Sequence, residues 1–191
     1  AFRADSSKLS AYLTTVSNTL PNEKWSKDDQ LAYWLNAYNA FTIQRVLRGY
    51  PVKSIKNLGG DKSLVNTVWD QRFIRLGNEK EKFCLNDLEQ RLIRRKFSGE
   101  YRVHFALVCA AMSCPKLRNQ ARSFINDPAK NKLAPANAPE VSSIFNFYPG
   151  DFKKGENTVQ KTLNKYSAGQ KVDTEAKLKY MTYNWALNEQ K

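Results

Sequence analysis

The chain has 191 residues, 41% of them apolar, with 4 Trp, 9 Tyr and 10 Phe. That composition excludes a disordered chain, because so much apolar surface can offset the entropy of ordering, and the length suits one domain spanning residues 1–191. The formal net charge of +13 favours anionic partners, and no stretch reaches the roughly 18 apolar residues that span a bilayer.

Leu9, Tyr12, Leu13, Val16 and Leu20 recur at helical spacing and predict a first amphipathic helix ending near Pro21. Ser26 followed by Asp28 and Asp29 reads as an N-cap with acidic residues in the first turn. A long helix follows to about Arg48, stopped by Gly49 and Pro51. Its apolar residues, from Leu31 to Ile43, cover nearly every side, as in a helix buried all round. Asn36 and Asn39 interrupt that surface, and a buried amide needs polar partners. A loop holding Gly59 and Gly60 comes next. Phe73–Leu76 and Lys82–Leu85 then predict two strands around Gly77-Asn78. Asn86 to Glu89 resembles a capping box opening a helix to about Phe97. In that helix Arg91, Arg94, Arg95 and Lys96 cluster, either as a solvated face or as an anion patch. The near-continuous apolar run from Arg102 to Cys109 suits a strand buried on both faces. A turn at Pro115 follows, then a long connection punctuated by Pro128, Pro135 and Pro139. Beyond these come the aromatic cluster Phe145, Phe147 and Tyr148, a short helix over Asn157–Tyr166, and an aromatic segment, Tyr180–Leu187, that docks the C-terminus. The fold class read from this order is α+β: mostly helical, one domain, with a small antiparallel sheet.

Chemistry-bearing residues are few. Cys84, Cys109 and Cys114 form no disulfide framework and no Cys-x-x-Cys pair. With one histidine the usual zinc patterns are absent, so neither metal nor cofactor is implied. That histidine, His104, sits mid-strand in the expected arrangement and needs at least one hydrogen-bond partner there. A His104–Cys109 dyad conflicts with strand geometry, because residues five apart face opposite sides. Cys114 is better placed, since the chain can turn at Ala110–Ser113. Either thiol would need a partner that lowers its pKa. Glu89 is the N3 member of its capping box or a carboxylate orienting His104. Arg118 binds an anion bidentately or pins a loop.

Several segments carry a resemblance. These are Trp34-Leu35-Asn36-Ala37-Tyr38-Asn39-Ala40, Tyr50 to Ile55, Leu85 to Arg94, His104 to Cys109 with Ser113 to Arg118, Ile144-Phe145 with Asp151-Phe152, and Tyr183 to Asn188. In order along nearly the whole chain they resemble the domain of unknown function 547 family. The resemblance implies no particular activity. Bacterial members are commonly exported, which implies a periplasmic or secreted setting, although no signal peptide is visible at Ala1. The family often carries histidine after the glutamate matching Glu89, where this chain has Gln90, so a mechanism needing two histidines has only one here. A buried helix packed on a histidine-bearing strand is also the arrangement of papain- and transglutaminase-like cores, a distant analogy of fold alone.

The expected function is a binding or assembly domain with Asn36, Asn39, His104 and Arg118 around a polar pocket, taking an anionic ligand or a protein partner. The alternative is a cysteine-dependent hydrolase or acyltransferase with Cys114 or Cys109 as nucleophile, His104 as base and Glu89 beside it. Nucleic-acid binding is disfavoured, because no recognisable motif accompanies the charge.

Overall fold

The computed structural model describes residues 6–59, 67–115 and 121–188; Gly60, Lys116, Leu117 and Arg118 lie outside the described residues. The chain divides into two compact units. The first holds residues 1–97, 108–112 and 185–191, and the second holds 98–107 and 113–184.

In the first unit α1 (Ser6–Asn18) buries Leu13 and Val16 of the stripe its spacing predicts, while Tyr12 is exposed. Helix α2 (Lys27–Gly49) starts where Ser26 Oγ accepts the Asp29 N–H at 3.0 Å, with Asp28 and Asp29 in the first turn. The Tyr33 hydroxyl donates to the Val16 carbonyl and ties the two helices together. Burial, and after it the nearby Tyr12, push that phenol up to about 12. Helix α2 ends in glycine for a steric reason. A Cβ on Gly49 would lie 2.1 Å from Leu58 Cδ2, in the 3-10 turn Ile55–Leu58. The C-terminal segment docks in this unit: Leu187 N donates to Lys53 O at 2.9 Å, and Trp185 meets Trp69 edge-on at 5.6 Å.

Residues Asp87–Arg94 form a π-helix, marked by the Arg95 N–H reaching back five residues to Gln90 O at 3.1 Å. The expected capping box is not made. Asn86 is itself helical and caps nothing; its Nδ2 donates instead to Asp70 Oδ1 at 2.5 Å. Asp87 takes over at this end of the helix, accepting the Cys84 N–H at 3.1 Å.

The second unit is a set of short elements around an aromatic core. They are α3 (Val103–Ala106), α4 (Ala121–Ile125), β1 (Glu140–Val141), α5 (Ile144–Phe147), α6 (Pro149–Glu156), α7 (Val159–Tyr166) and β2 (Lys179–Tyr180). Phe105, Phe124, Phe145, Phe152 and Leu163 are its buried centre.

The small antiparallel sheet is a corrected expectation. The one sheet among the described residues is the parallel pair β1–β2, with Glu140 opposite Lys179 and Val141 opposite Tyr180. The strands expected at Phe73–Leu76 and Lys82–Leu85 reduce to a single antiparallel bridge, Ile74 with Phe83. The strand expected at Arg102–Cys109 is α3, a helical turn followed by extended Leu107. A short apolar run suits a helical turn buried on all sides as well as it suits a strand, and periodicity cannot separate them. The distant papain- or transglutaminase-like arrangement falls with that strand, because His104 stands on a helix.

Candidate functional site

The site forms in the second unit, where α3 and the start of α6 bring an imidazole to a carboxylate. Arg102, at the N-cap of α3, already has helical backbone angles, and the N–H groups of His104 and Phe105 bond three residues back, to Tyr101 O and Arg102 O. Val103, His104 and Phe105 are all buried as a result. Helix α6 opens with Pro149 in its first turn, a position that suits a residue with no N–H to donate. Asp151 follows in the same turn, where the helix dipole favours a negative charge.

His104 Nε2 lies 2.8 Å from Asp151 Oδ2. The imidazole side chain is 1% exposed and the carboxylate 19%. An ionised carboxylate only accepts, so with Asp151 ionised the donor in this pair is Nε2. Tyr148, the residue at the N-cap of α6, stacks on the imidazole with ring centres 3.8 Å apart and planes 16° off parallel. Phe152 packs against the imidazole at 5.7 Å. The Asp151 carboxylate and the Tyr148 and Phe152 rings that meet the imidazole come from the same short stretch of chain.

The sequence-predicted residues distribute unevenly around this pair. Cys114, in the same unit, is buried, and its thiol donates to Leu107 O at 3.5 Å. Cys109 belongs to the first unit and is half-buried. Ala110, directly after it, has φ of 59°. This left-handed conformation is held by the Asn188 N–H on Ala110 O at 2.8 Å and by the Ala111–Leu187 bridge. Cys84 is buried in the first unit. Desolvation, and then the Asp87 carboxylate, push its thiol above the usual range despite the Asp87 backbone N–H that donates to its sulfur at 3.4 Å and the nearby Arg72.

Glu89 is buried on the π-helix, and Gln90 Nε2 donates to its Oε1 at 3.3 Å. Asn39 is buried, and its Oδ1 accepts the Val108 N–H at 2.9 Å. Asn36 is exposed on α2, which corrects its expected place in a buried helix surface. The helix is buried all round only from Ala37 to Thr42. Arg118 lies outside the described residues. Sequence reasoning gave no role to Asp151 or Tyr148, although Asp151-Phe152 was among the segments that carry the resemblance. Among the described residues, no three His, Cys, Asp or Glu side chains are grouped to hold a metal ion. No helix among them is long and apolar enough to cross a membrane.

One protein family, described as "Protein of unknown function, DUF547", matches residues 22–136, more than half of the chain. The matched segment contains Asn39, Glu89, His104, Cys109 and Cys114 but stops before Asp151. No curated protein and no solved structure matches the chain. The family match over residues 22–136, with the ordered motifs around Trp34, Leu85 and His104, establishes that the chain belongs to the DUF547 family of proteins of unknown function.

Proposed function

We propose that this chain is a binding or assembly domain of an exported, periplasmic or secreted protein, with its polar site built on His104, Asp151 and Tyr148. The observation that carries the reading is the His104–Asp151 contact at 2.8 Å under a stacked Tyr148 ring. An imidazole held that firmly fixes the position and polarity of the half-buried Tyr148 and Asp151 groups. A binding site needs that preorganisation, because the ordering is done before the ligand arrives. Two thiols support the choice of binding over catalysis: Cys84 is pushed toward its unreactive protonated form, and Cys114 is buried with its S–H on a backbone carbonyl.

The test is a thermal-shift screen of polar small molecules and peptides against wild type, Asp151→Asn and Cys109→Ser/Cys114→Ser. A ligand present at 100 times its dissociation constant stabilises the folded state by about 2.7 kcal/mol, a shift of about 5–10 °C for a chain this size. The reading expects hits that Asp151→Asn weakens, that the double cysteine variant binds unchanged, and that emerge chemically intact. Turnover lost in the cysteine variant would overturn it.

One observation favours the cysteine-dependent hydrolase or acyltransferase reading. The left-handed Ala110 beside half-buried Cys109 is the kind of over-determined strain that clusters at reactive residues. Alkylation of the three thiols against pH, read by mass spectrometry, separates the two. A thiol with an apparent pKa well below about 8.5, lost in His104→Ala, would favour the enzyme.

A further inference from the structure

The arginine cluster of the π-helix gains a member that the sequence did not place there. Asp87, with its side chain 11% exposed, receives Arg72 Nη1 at 3.1 Å on Oδ2 and Arg91 Nη1 at 3.3 Å on Oδ1. The same Oδ2 also takes the Cys84 N–H at 3.1 Å and the Cys84 S–H at 3.2 Å. Arg72 Nη1 is further held by Lys82 O at 2.7 Å, and the Arg91 guanidinium lies over the Phe83 ring at 6.0 Å.

Two features exceed what the buried carboxylate needs. Cys84 supplies two hydrogen bonds, and one arginine balances the charge, so the second guanidinium leaves the spot at net +1. Both arginines are also more than half exposed, at 52% and 61%, and each bonds the carboxylate through one nitrogen of a group with five N–H donors. Exposed ion pairs add about 0–1 kcal/mol, so the second pair is weakly justified by stability. Arg95, four residues beyond Arg91, is exposed and makes no ion pair among the described residues.

We propose that Arg72 and Arg91 form a binding site for a phosphate-monoester dianion, with Arg95 adding a third positive charge. Asp87 holds both guanidinium groups at one place, so their side-chain entropy is already lost before an anion arrives. Each bonds Asp87 through Nη1, which leaves an Nε–H and Nη2 edge that can fork onto two oxygens. A tetrahedral dianion can face both forks at once, and its charge matches the local sum of three arginines and one aspartate. The site lies wholly in the first unit and is independent of the His104 reading.

The test is a titration of protein labelled with 15N arginine with inorganic phosphate at constant ionic strength, following the Nε–Hε signals. The Arg72 and Arg91 signals are expected to shift together and saturate with one dissociation constant. Arg91→Lys keeps a charge for Asp87 but loses the fork, and should weaken binding about tenfold, equivalent to about 1.4 kcal/mol. Arg91→Gln should remove the saturable shift at Arg72 while the backbone amide spectrum stays folded. A second arm uses phosphatidylcholine vesicles with and without phosphatidic acid. Saturation by free phosphate assigns a soluble monoester. Co-sedimentation only with phosphatidic acid, abolished in Arg91→Gln, assigns a lipid headgroup. Shifts that follow salt equally at every exposed arginine, or that survive Arg91→Gln, with no vesicle binding sensitive to Arg91, overturn the proposal.

Discussion

Gly155→Ala tests the packing beneath the candidate site. Gly155 lies in α6, the helix with Tyr148 at its N-cap and Asp151 in its first turn. A Cβ there would stand 2.0 Å from Tyr101 Cδ1, 2.7 Å from Cε1 and 3.0 Å from Cγ. The Tyr101 ring cannot easily yield. It is 5% exposed and tilted against Phe152 at 5.7 Å, and its hydroxyl meets Glu156 Oε1 at 2.8 Å and the Tyr166 hydroxyl at 3.1 Å. Alanine gains up to about 1 kcal/mol over glycine from helix propensity. Against that, overpacking costs about 1–3 kcal/mol, and each displaced hydroxyl bond costs about 0.5–1.5 kcal/mol. The net expectation is a loss of about 1–3 kcal/mol, or about 3–10 °C in Tm for a chain this long. Gly150 is the control. It lies in the same helix, a Cβ there meets nothing within 4 Å, and Gly150→Ala should be neutral or stabilising by up to about 1 kcal/mol. Urea denaturation of both variants gives the comparison. Equal stability of the two would refute the packing argument.

Three further outcomes are expected. Thr42 is 1% exposed and its hydroxyl has no hydrogen-bond partner among the described residues, so the isosteric Thr42→Val should stabilise by about 1–2 kcal/mol, and a loss of similar size in urea melts would show that the hydroxyl is satisfied. Asn39→Ala should cost about 1–3 kcal/mol because the Val108 N–H loses its acceptor, whereas Asn36→Ala, on the exposed side of α2, should stay within about 0.5 kcal/mol; equal effects would argue against the helix orientation. Burial alone would raise the Asp87 carboxyl, but the bonds from Cys84 and Arg91 and the charge of Arg72 outweigh it and hold the group below the usual range. A depressed folded pKa stabilises fully above the unfolded value of about 3.9 and is lost as pH falls through the folded value. Asp87→Asn should therefore lower stability at neutral pH and flatten its decline below about pH 4, and an unchanged acid slope would show that Asp87 contributes nothing.

Local chemistry was legible where it was redundant. Helix α2 could be read from Ser26, Asp28 and Asp29 at one end and Gly49 with Pro51 at the other, because each device acts within a turn of the residues it names. The strands failed because their evidence was thin in the same physical sense. Val103 to Val108 is six residues with no alternation, and the burial of Val103, His104 and Phe105 is as well satisfied by a helical turn as by a strand. The π-helix had no sequence signal at all. Asn86 to Glu89 matches a capping box letter by letter, yet Asp87 takes the Cys84 N–H and two arginines instead.

The site shows the same division between what sits close in sequence and what does not. His104 stood out as the only histidine, and the requirement that a buried imidazole find a partner was sound. Its partner stands 47 residues away, and Glu89 was the nearer carboxylate to name. What pointed to Asp151 was its position, directly after Pro149-Gly150, where a helix begins. A carboxylate in the first turn is favoured by the helix dipole whether or not a histidine is near. That local preference explains why the charge can stand beside a buried, apolar cluster. The histidine then supplies the direction. Nε2 faces the carboxylate, Tyr148 lies flat on the ring, and the half-buried edge of the pair belongs to Tyr148 and Asp151 rather than to the imidazole. Under the proposed binding function, contact with a ligand would fall on residues the sequence did not single out, and Asp151→Asn probes that proposal more directly than any substitution of His104.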